Sequence, residues 1–212
     1  DSLRNSTSDL SQQNPMVDYS NRVINILGSE NVGLTSALDQ FFNSARELST
    51  DPSSLIMRTV FLSDSENLTS RFSDLSSQMD LIVDETKEAI NSDILKLNVL
   101  AEQLTLVNKQ LAATKILARQ PLQLLDERDQ ILREMAEIAK IKVNESPNGS
   151  IDVSLGSNFA GGVIVSDLEY DKLVATFDEA DISKVDLQLG QYEKTVEVVS
   201  GIGGGSLGGL LS

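Results

Sequence analysis

The sequence predicts a mainly α-helical protein with a small antiparallel β part, arranged as an elongated helical bundle built on one very long helix. Three observations predict this fold class. Residues 53–113 contain neither Pro nor Gly, apolar residues recur there in alternating steps of three and four, and the apolar period changes to two beyond residue 140. Steps of three and four are typical of helices that pack along one face, whereas a period of two is typical of half-buried strands.

Two shorter helices are expected before the long one. Residues 1–15 are polar and rich in Ser and Asn, so we expect them to be irregular or weakly helical. The apolar positions of Val17–Leu27 predict a short helix that ends at Gly28. A second helix is expected to begin near Thr35 and to end at Asp51-Pro52, because the residue before a Pro disfavours the α conformation.

The long helix is predicted over residues 53–113, a length of about 90 Å at roughly 1.5 Å per residue. Its apolar seam consists of Leu68, Phe72, Leu75, Met79, Ile82, Thr86, Ile90, Ile94, Leu97, Ala101, Leu104, Asn108 and Leu111. Packing supplies most helical stability, so we expect other helices to cover this seam. Asn108 either sets the register of the packed helices or marks where the seam ends.

The chain changes character after the long helix. Residues 114–120 are interpreted as a linker, and Pro121 suits the first turn of a further helix up to residue 139. Strands are predicted at Ile141–Val143, Ile151–Leu155, Val163–Val165, Lys172–Phe177, Val185–Leu189 and Thr195–Val199, with a hairpin turn at Pro147-Asn148-Gly149. The sequence thus predicts a helical rod domain at 1–139, a small β-rich subdomain at 140–200, and a Gly-rich tail at 201–212 that leads to a missing C-terminal helix.

Composition excludes several classes of function. The net charge of −15 argues against nucleic acid and anionic membrane surfaces, because both are bound by clustered Lys and Arg. The chain has no Cys and no His, which excludes disulfides, thiolate nucleophiles and Ser-His-Asp catalysis. No apolar run approaches the roughly 18 residues that span a bilayer. Because the first residue is Asp1 and not Met, we interpret the chain as an excised fragment.

Two motifs are better explained without a ligand. The tail contains a formal G-x-G-x-x-G over residues 203–208, but a dinucleotide site needs a following helix and an acidic residue about 20 positions later. The acidic cluster Asp178, Glu179 and Asp181 lacks the ligand spacing of a calcium loop. With 4% aromatic residues, the chain also has little to build a sugar-binding cleft for paired carboxylates. We therefore predict no catalytic residues, no cofactor and no metal.

The helix after Pro121 opens with a distinctive stretch, Leu124–Gln130. Asp126 or Asp129 near a helix start favours the helix dipole, and Arg128 can reach a nearby carboxylate. We single out Leu125, Asp126, Arg128 and Asp129 as a family motif, because this stretch and its neighbours resemble the central part of the flagellar hook-associated protein 1 family. The segments that carry the resemblance are Leu38–Phe42, Leu48, Asp51–Ser54, Arg58, Ser65–Leu68, Ile94, Leu97-Asn98, Leu124–Gln130, Asn148-Gly149 and Gly205–Leu210.

The resemblance implies a flagellin-like rod domain in a non-catalytic structural subunit, an adapter between the hook and the filament of the bacterial flagellum. It implies an extracellular location, reached through the flagellar secretion channel without a cleaved signal peptide and with an export chaperone for the full-length chain. The implied partners are copies of the chain in a junction ring, the hook protein and hook-associated protein 3. Without the terminal segments of that family, we expect this fragment to be a monomer.

Two alternatives stay open at this point. The first is another axial protein of the same apparatus, such as hook-associated protein 3 or a flagellin, since these share long helices and a Cys-poor composition. The second is an exported adhesin or hydrolase with a helical stalk. Localisation along the flagellum would distinguish the first alternative from a junction subunit. Glycan cleavage or host-cell binding would support the second.

Overall fold

A computed structural model describes residues 2–28, 34–114, 120–156, 162–178, 184–190 and 202–212. Five helices are formed in this part of the chain: α1 Ser2–Gly28, α2 Leu34–Thr50, α3 Leu55–Ala112, α4 Leu122–Ile138 and α5 Gly205–Leu210. The strands are β1 Ile141–Glu145, β2 Ile151–Leu155, β3 Val163–Ser166, β4 Glu169–Tyr170, β5 Leu173–Phe177 and β6 Val185–Leu189. The predicted fold class, mainly α with a small antiparallel β part on one very long helix, is confirmed.

The first helix differs from the expectation for residues 1–15. These residues are helical, and α1 continues through Pro15 to Gly28. Tertiary contacts explain the difference: Ser8 is buried, and the backbone N–H of Gly204 donates to the side-chain oxygen of Gln12 at 3.2 Å. Helices in proteins are stabilised mainly by such packing, so a weak local propensity was a poor guide here.

The ends of α2 and α3 follow the predicted breaks. Helix α2 ends just before Asp51-Pro52, as expected, although it begins at Leu34 and Thr35 lies inside it. Ser54 caps the start of α3, because its hydroxyl oxygen accepts the backbone N–H of Met57 at 3.4 Å. The helix then runs to Ala112, within two residues of the predicted bounds at both ends.

Helix α4 begins directly after Pro121, whose extended backbone lies at the N-cap position. A Pro at this point removes only an N–H that would have no partner inside the helix. The buried face of α4 consists of Ile131, Leu132, Met135, Ala136 and Ile138. Of the predicted linker at 114–120, residues 115–119 lie outside the described residues.

Two antiparallel sheets form the β part. Strands β1, β2, β3 and β4 make one sheet in that order, and β5 pairs with β6 in a second. The β1–β2 hairpin pairs Ile141 with Leu155 and Glu145 with Ile151, and its turn carries the predicted Asn148-Gly149. Strand β4 is a two-residue element that the sequence pattern did not predict. The predicted strand at Thr195–Val199 lies outside the described residues.

The chain forms two compact units. The terminal unit combines Asp1–Val17 with Thr86–Ser212, and the inserted unit comprises Asp18–Glu85. The terminal unit has one apolar core, to which α3, α4, α5 and strands β1, β2, β3, β5 and β6 contribute. The boundary predicted after residue 139 lies between α4 and β1 inside the terminal unit, and the one predicted after residue 200 lies outside the described residues. The three-part division stays a prediction.

The inserted unit has little buried apolar surface. Among its described residues, Ala37 and Ile82 are the buried apolar side chains. Phe41 contacts the ring of Phe61 at a centroid distance of 5.3 Å and that of Phe42 at 5.4 Å, which joins α2 to α3. The helices of this unit therefore pack through half-buried side chains for most of their length.

The described part of the Gly-rich tail, residues 202–212, is packed against the rest of the terminal unit. Residues 205–210 form α5, and Ile202 and Leu207 are buried in the terminal unit. Gly205 has a φ of 65°, and a Cβ there would lie 2.2 Å from the carbonyl carbon of Ile138. At Gly209 a Cβ would lie 2.3 Å from the backbone oxygen of Gln12. The glycines let the tail approach α4 and α1 more closely than any side chain would permit.

Candidate assembly site

The predicted seam of α3 has two environments. In the terminal unit, Ile90, Ile94, Leu97, Ala101, Leu104, Asn108 and Leu111 are all buried. The apolar members belong to a core shared with α4 and the strands, so strands as well as a helix cover this part of the seam. In the inserted unit Ile82 is buried, Leu68, Leu75 and Met79 are half-buried, and Phe72 is 50% exposed. Thr86, at the limit of the terminal unit, is also half-buried. The seam is thus buried from Ile90 to Leu111 and only partly buried between Leu68 and Thr86.

Asn108 joins the long helix to the first sheet. Its side chain is fully buried, and its amide nitrogen donates to the carbonyl oxygens of Ile151 at 2.8 Å and Asp167 at 2.6 Å. Its side-chain oxygen accepts the backbone N–H of Ile151 at 3.1 Å. A polar residue on the seam therefore serves strand attachment, instead of setting the register between helices or ending the seam.

Asn98 makes the equivalent connection to the second sheet. Its amide nitrogen donates to the carbonyl oxygen of Leu173 at 2.9 Å, and its side-chain oxygen accepts the N–H of the same residue at 2.8 Å. The side chain thus binds strand β5 as a neighbouring strand would. Sequence reasoning noted Asn98 only within the family resemblance, because its partner lies 75 residues away.

Asp167 is held in an unusual backbone conformation between β3 and β4. Its φ is 51°, a left-handed value that an Asp adopts more readily than most residues. Its N–H donates to a carboxylate oxygen of Asp152 at 2.7 Å, and its own carboxylate accepts the hydroxyl of Ser150 at 2.5 Å and the amide of Asn148 at 3.3 Å. Together with the bond from Asn108, these contacts fasten the β1–β2 turn and the β3–β4 turn to α3.

The family motif lies on the outer side of α4. Arg128 contacts a carboxylate oxygen of Asp129 and one of Glu145, each at 3.4 Å. The second contact links α4 to strand β1. Leu125 packs against the core, and Asp126 is exposed one turn into the helix. The motif therefore combines one apolar anchor with a cation that joins two elements, and its role in assembly stays a prediction.

Two groups of exposed apolar residues offer surfaces for association. The Leu55–Leu62 patch lies in the inserted unit and consists of Leu55 and Ile56, each 77% exposed, with Val60 and Leu62. The Leu95–Leu106 stripe lies in the terminal unit and consists of Leu95, Val99 and Leu106, which share one face of α3. Contiguous apolar residues on a protein surface usually mark a contact with another molecule.

An exposed ion pair connects two helices of the inserted unit. The guanidinium of Arg22 contacts the carboxylate of Glu85 at 2.5 Å, and Arg22 lies over the ring of Tyr19 at 5.5 Å. The hydrogen bond from Arg22 lowers the pKa of Glu85, and the bond to Glu85 raises the pKa of Arg22. Both side chains are about half exposed, so solvent screens the pair.

The described residues form no metal site from clustered carboxylates. Among them no group of three or more acidic side chains is arranged to hold a metal ion. None of the helices formed by the described residues combines the length and the apolar character that crossing a membrane requires. The features that this fold positions are side chains that attach strands to α3 and apolar surfaces that are exposed.

Comparisons with known proteins point to one family. The family model described as the flagellar hook-associated protein FlgK helical domain matches residues 20–212. Flagellar hook-associated protein 1 of Bacillus subtilis is 28% identical to this chain over 121 residues, which is 57% of the chain and 24% of that protein. The protein of the same name from Salmonella typhimurium is 23% identical over 217 residues, covering 99% of the chain and 38% of that protein.

A solved structure shares the fold. The flagellar hook junction protein FlgK from Burkholderia pseudomallei superimposes with a TM-score of 0.80 and covers 100% of this chain at 22% identity. The chain corresponds to 38% of that protein. It therefore spans well under half the length of each of these relatives.

Proposed function

Because the chain belongs to the family of the flagellar hook-associated protein FlgK helical domain, we propose that it is part of a structural subunit of the bacterial flagellum. In this proposal the subunit is a non-catalytic adapter at the junction between the hook and the filament. The observation that carries the proposal is the family match over residues 20–212. The curated relatives, which are named flagellar hook-associated protein 1, support it.

The geometry supports a mechanical role. Asn98 and Asn108 fasten the two sheets to one helix, because each side-chain amide both donates to and accepts from a strand. A close-packed core with satisfied polar groups deforms little, so the terminal unit resists distortion under load. The exposed Leu55–Leu62 patch and Leu95–Leu106 stripe then serve as contacts with neighbouring subunits.

The partners in this proposal are copies of the same subunit in a junction ring, the hook protein and hook-associated protein 3. The location is extracellular, reached through the flagellar secretion channel with an export chaperone for the full-length chain. The net charge of −15 suits a surface that stays soluble while it is exposed to the medium. The isolated chain is expected to be monomeric in sedimentation.

Deletion of the coding region for residues 1–212 in the parent bacterium tests the proposal. We expect cells that carry hooks without filaments in electron micrographs and that do not swim in soft agar. Complementation with the intact gene should restore both. Normal filaments in the deletion strain would overturn the adapter function.

A second experiment tests whether the Leu55–Leu62 patch is a subunit contact. Leu55→Asp together with Ile56→Asp places two charges where an apolar partner is expected, so filament number should fall at least about tenfold if each buried apolar side chain contributes ~1.5–3 kcal/mol. Leu122→Asp is the matched control, since Leu122 is also 77% exposed but belongs to neither surface. Equal swimming of the two strains would exclude the patch as a contact.

A further inference from the structure

The sequence contains one Asn-Gly pair, Asn148-Gly149, and it lies in the turn between β1 and β2. In an unfolded chain the side chain of such an Asn loses ammonia readily, because Gly has no Cβ to shield its backbone nitrogen. That nitrogen can attack the side-chain carbonyl carbon of the preceding Asn. The turn therefore carries a reactive pair, and the contacts of the two residues decide whether the reaction proceeds.

The attacking nitrogen is occupied in the folded hairpin. The N–H of Gly149 donates to the carbonyl oxygen of Ser146 at 2.9 Å, and the N–H of Ser146 donates to the carbonyl oxygen of Ser150 at 2.8 Å. Gly149 is buried, so solvent does not reach its nitrogen freely. A backbone nitrogen that keeps its proton in a hydrogen bond is a poor nucleophile.

The side chain of Asn148 is held at both of its polar atoms. Its oxygen accepts the backbone N–H of Ser150 at 3.0 Å and lies 2.7 Å from the hydroxyl oxygen of that residue. Its nitrogen donates to a carboxylate oxygen of Asp167 at 3.3 Å. An ionised carboxylate has no proton to give to a departing nitrogen. The attacking and the leaving nitrogen are thus both engaged while the turn is formed.

The fold requires Gly at the second position of the pair. Gly149 has a φ of 84°, a left-handed value that suits the end of a three-residue hairpin loop. A Cβ there would lie 2.1 Å from the side-chain nitrogen of Gln120, which itself contacts the carbonyl oxygen of Asn148 at 3.4 Å. A side chain at position 149 would protect Asn148 chemically, but it would disturb the turn.

We propose that Asn148 is a site of spontaneous deamidation that is closed in the folded protein and reacts when the β1–β2 hairpin opens. In the open turn, the nitrogen of Gly149 loses its proton to solvent and bonds to the side-chain carbonyl carbon of Asn148. The side-chain nitrogen takes up a proton and leaves as ammonia, which gives a cyclic imide. Water then opens either carbonyl of the ring, and the products are Asp and isoaspartate.

Both products make the hairpin harder to close again. Asp at position 148 places a carboxylate where an amide now donates to the carboxylate of Asp167, and like charges at this distance repel. Isoaspartate lengthens the main chain of the turn by one atom, so the N–H of Gly149 no longer lines up with Ser146. Deamidation at Asn148 therefore records that the hairpin has been open, whatever assembly the chain joins.

Incubation of the protein at pH 7, beside a synthetic peptide of residues 141–153, tests the proposal. Asp and isoaspartate at position 148 are separated from Asn by liquid chromatography and mass spectrometry after proteolysis. When opening and closing are fast, the folded protein reacts at the peptide rate multiplied by its open fraction. We expect it to react at least about tenfold more slowly than the peptide, and to approach the peptide rate when unfolded in urea.

Ser150→Ala tests the contacts of the turn. It removes the hydroxyl that lies against Asn148 and Asp167, so deamidation of the folded protein should become at least about threefold faster, while the same change in the peptide should have no such effect. Ser77→Ala is the matched control, since the hydroxyl of Ser77 donates to the carbonyl oxygen of Ser73 in its own helix.

Asn148→Asp supplies one product directly. Amide hydrogen exchange of Ser146 and Gly149, whose N–H groups close the turn, should be faster in this variant than in the unchanged protein. Unchanged exchange at these two amides would contradict the inference that the product hinders closure.

The comparison of the folded protein with the urea-unfolded protein decides the proposal even if Ser150→Ala does not fold. A folded protein that reacts as fast as the peptide, or faster, would show that the turn does not protect Asn148 and overturns the proposal. An unfolded protein that keeps Asn148 intact while the peptide reacts overturns it as well. Slow reaction when folded and fast reaction in urea supports it.

Discussion

The side-chain amide of Asn98 satisfies both backbone polar groups of Leu173, with distances of 2.9 Å from its nitrogen to the carbonyl oxygen and 2.8 Å from the backbone nitrogen to its oxygen. Leu173 is fully buried, so water cannot replace these bonds. One helix residue thus supplies the pairing that the edge of β5 would otherwise lack at this point. The attachment of the second sheet to α3 depends on it.

Asn98→Ala should destabilise the protein by about 2–4 kcal/mol, because it leaves a buried donor and a buried acceptor without partners. Urea unfolding followed by circular dichroism measures the change. Asn91→Ala is the control, since Asn91 is exposed two turns earlier on the same helix, and we expect a change within about 0.5 kcal/mol. Equal effects of the two substitutions would contradict the role of Asn98.

Asn108→Asp should cost about 3–5 kcal/mol at neutral pH, because an unpaired carboxylate would replace a buried amide that donates to Ile151 and Asp167. The loss should shrink at acidic pH, where the introduced group is protonated and can donate one hydrogen bond. Denaturant unfolding at pH 7 and at pH 4 measures both values. A loss that is the same at the two pH values would contradict this explanation.

Gly205→Ala should destabilise the docking of α5 by about 2–4 kcal/mol, since it combines a left-handed backbone with a clash against Ile138. Hydrogen exchange of the amides of α5 reports the change locally. Gly203→Ala is the matched control two residues earlier, where a Cβ would meet nothing within 4 Å. Faster exchange in both variants would indicate that the tail is weakly packed in general.

Arg22→Met should raise the pKa of Glu85 toward its ordinary value of 4.5, because the side-chain hydrogen bond from Arg22 is the main cause of its lowering. A carboxyl with a lowered folded-state pKa contributes stability above its unfolded-state pKa and loses it as the pH falls through the folded-state value. The small contribution of this pair should therefore be present at pH 7 and absent in strong acid.

Carboxyl carbon chemical shifts measured as a function of pH give the pKa of Glu85 directly. Arg58→Met is the control, since Arg58 donates to the carbonyl oxygen of Pro52 and not to a carboxylate. An unchanged titration of Glu85 in Arg22→Met would show that the ion pair does not persist in solution.

The helices were predictable where local signals were strong. The absence of Pro and Gly predicted α3 almost to its ends, and Pro121 and Asp51-Pro52 predicted the boundaries of α4 and α2. The first half of α1 was missed because its polar residues are held by the tail, about 190 residues later in the sequence. No local pattern reports a contact of that separation.

The attachment sites were predictable only in part. Asn108 stood out as a polar residue in the apolar seam. Its partners Ile151 and Asp167 were not predictable from the seam, because they depend on where the hairpins pack. Asp167 and Asn98 had no comparable signal. The pairing of β5 with β6 was also not predictable, since a period of two predicts a strand without naming its neighbours.

The bond between Gln12 and Gly204 closes a loop of 192 residues and has a consequence for biosynthesis. Closing so long a loop carries an entropic cost before any contact is gained. During translation, α1 therefore gains this contact only after Gly204 has been synthesised, long after α1 itself. A product that stopped before Gly204 would leave α1 without it.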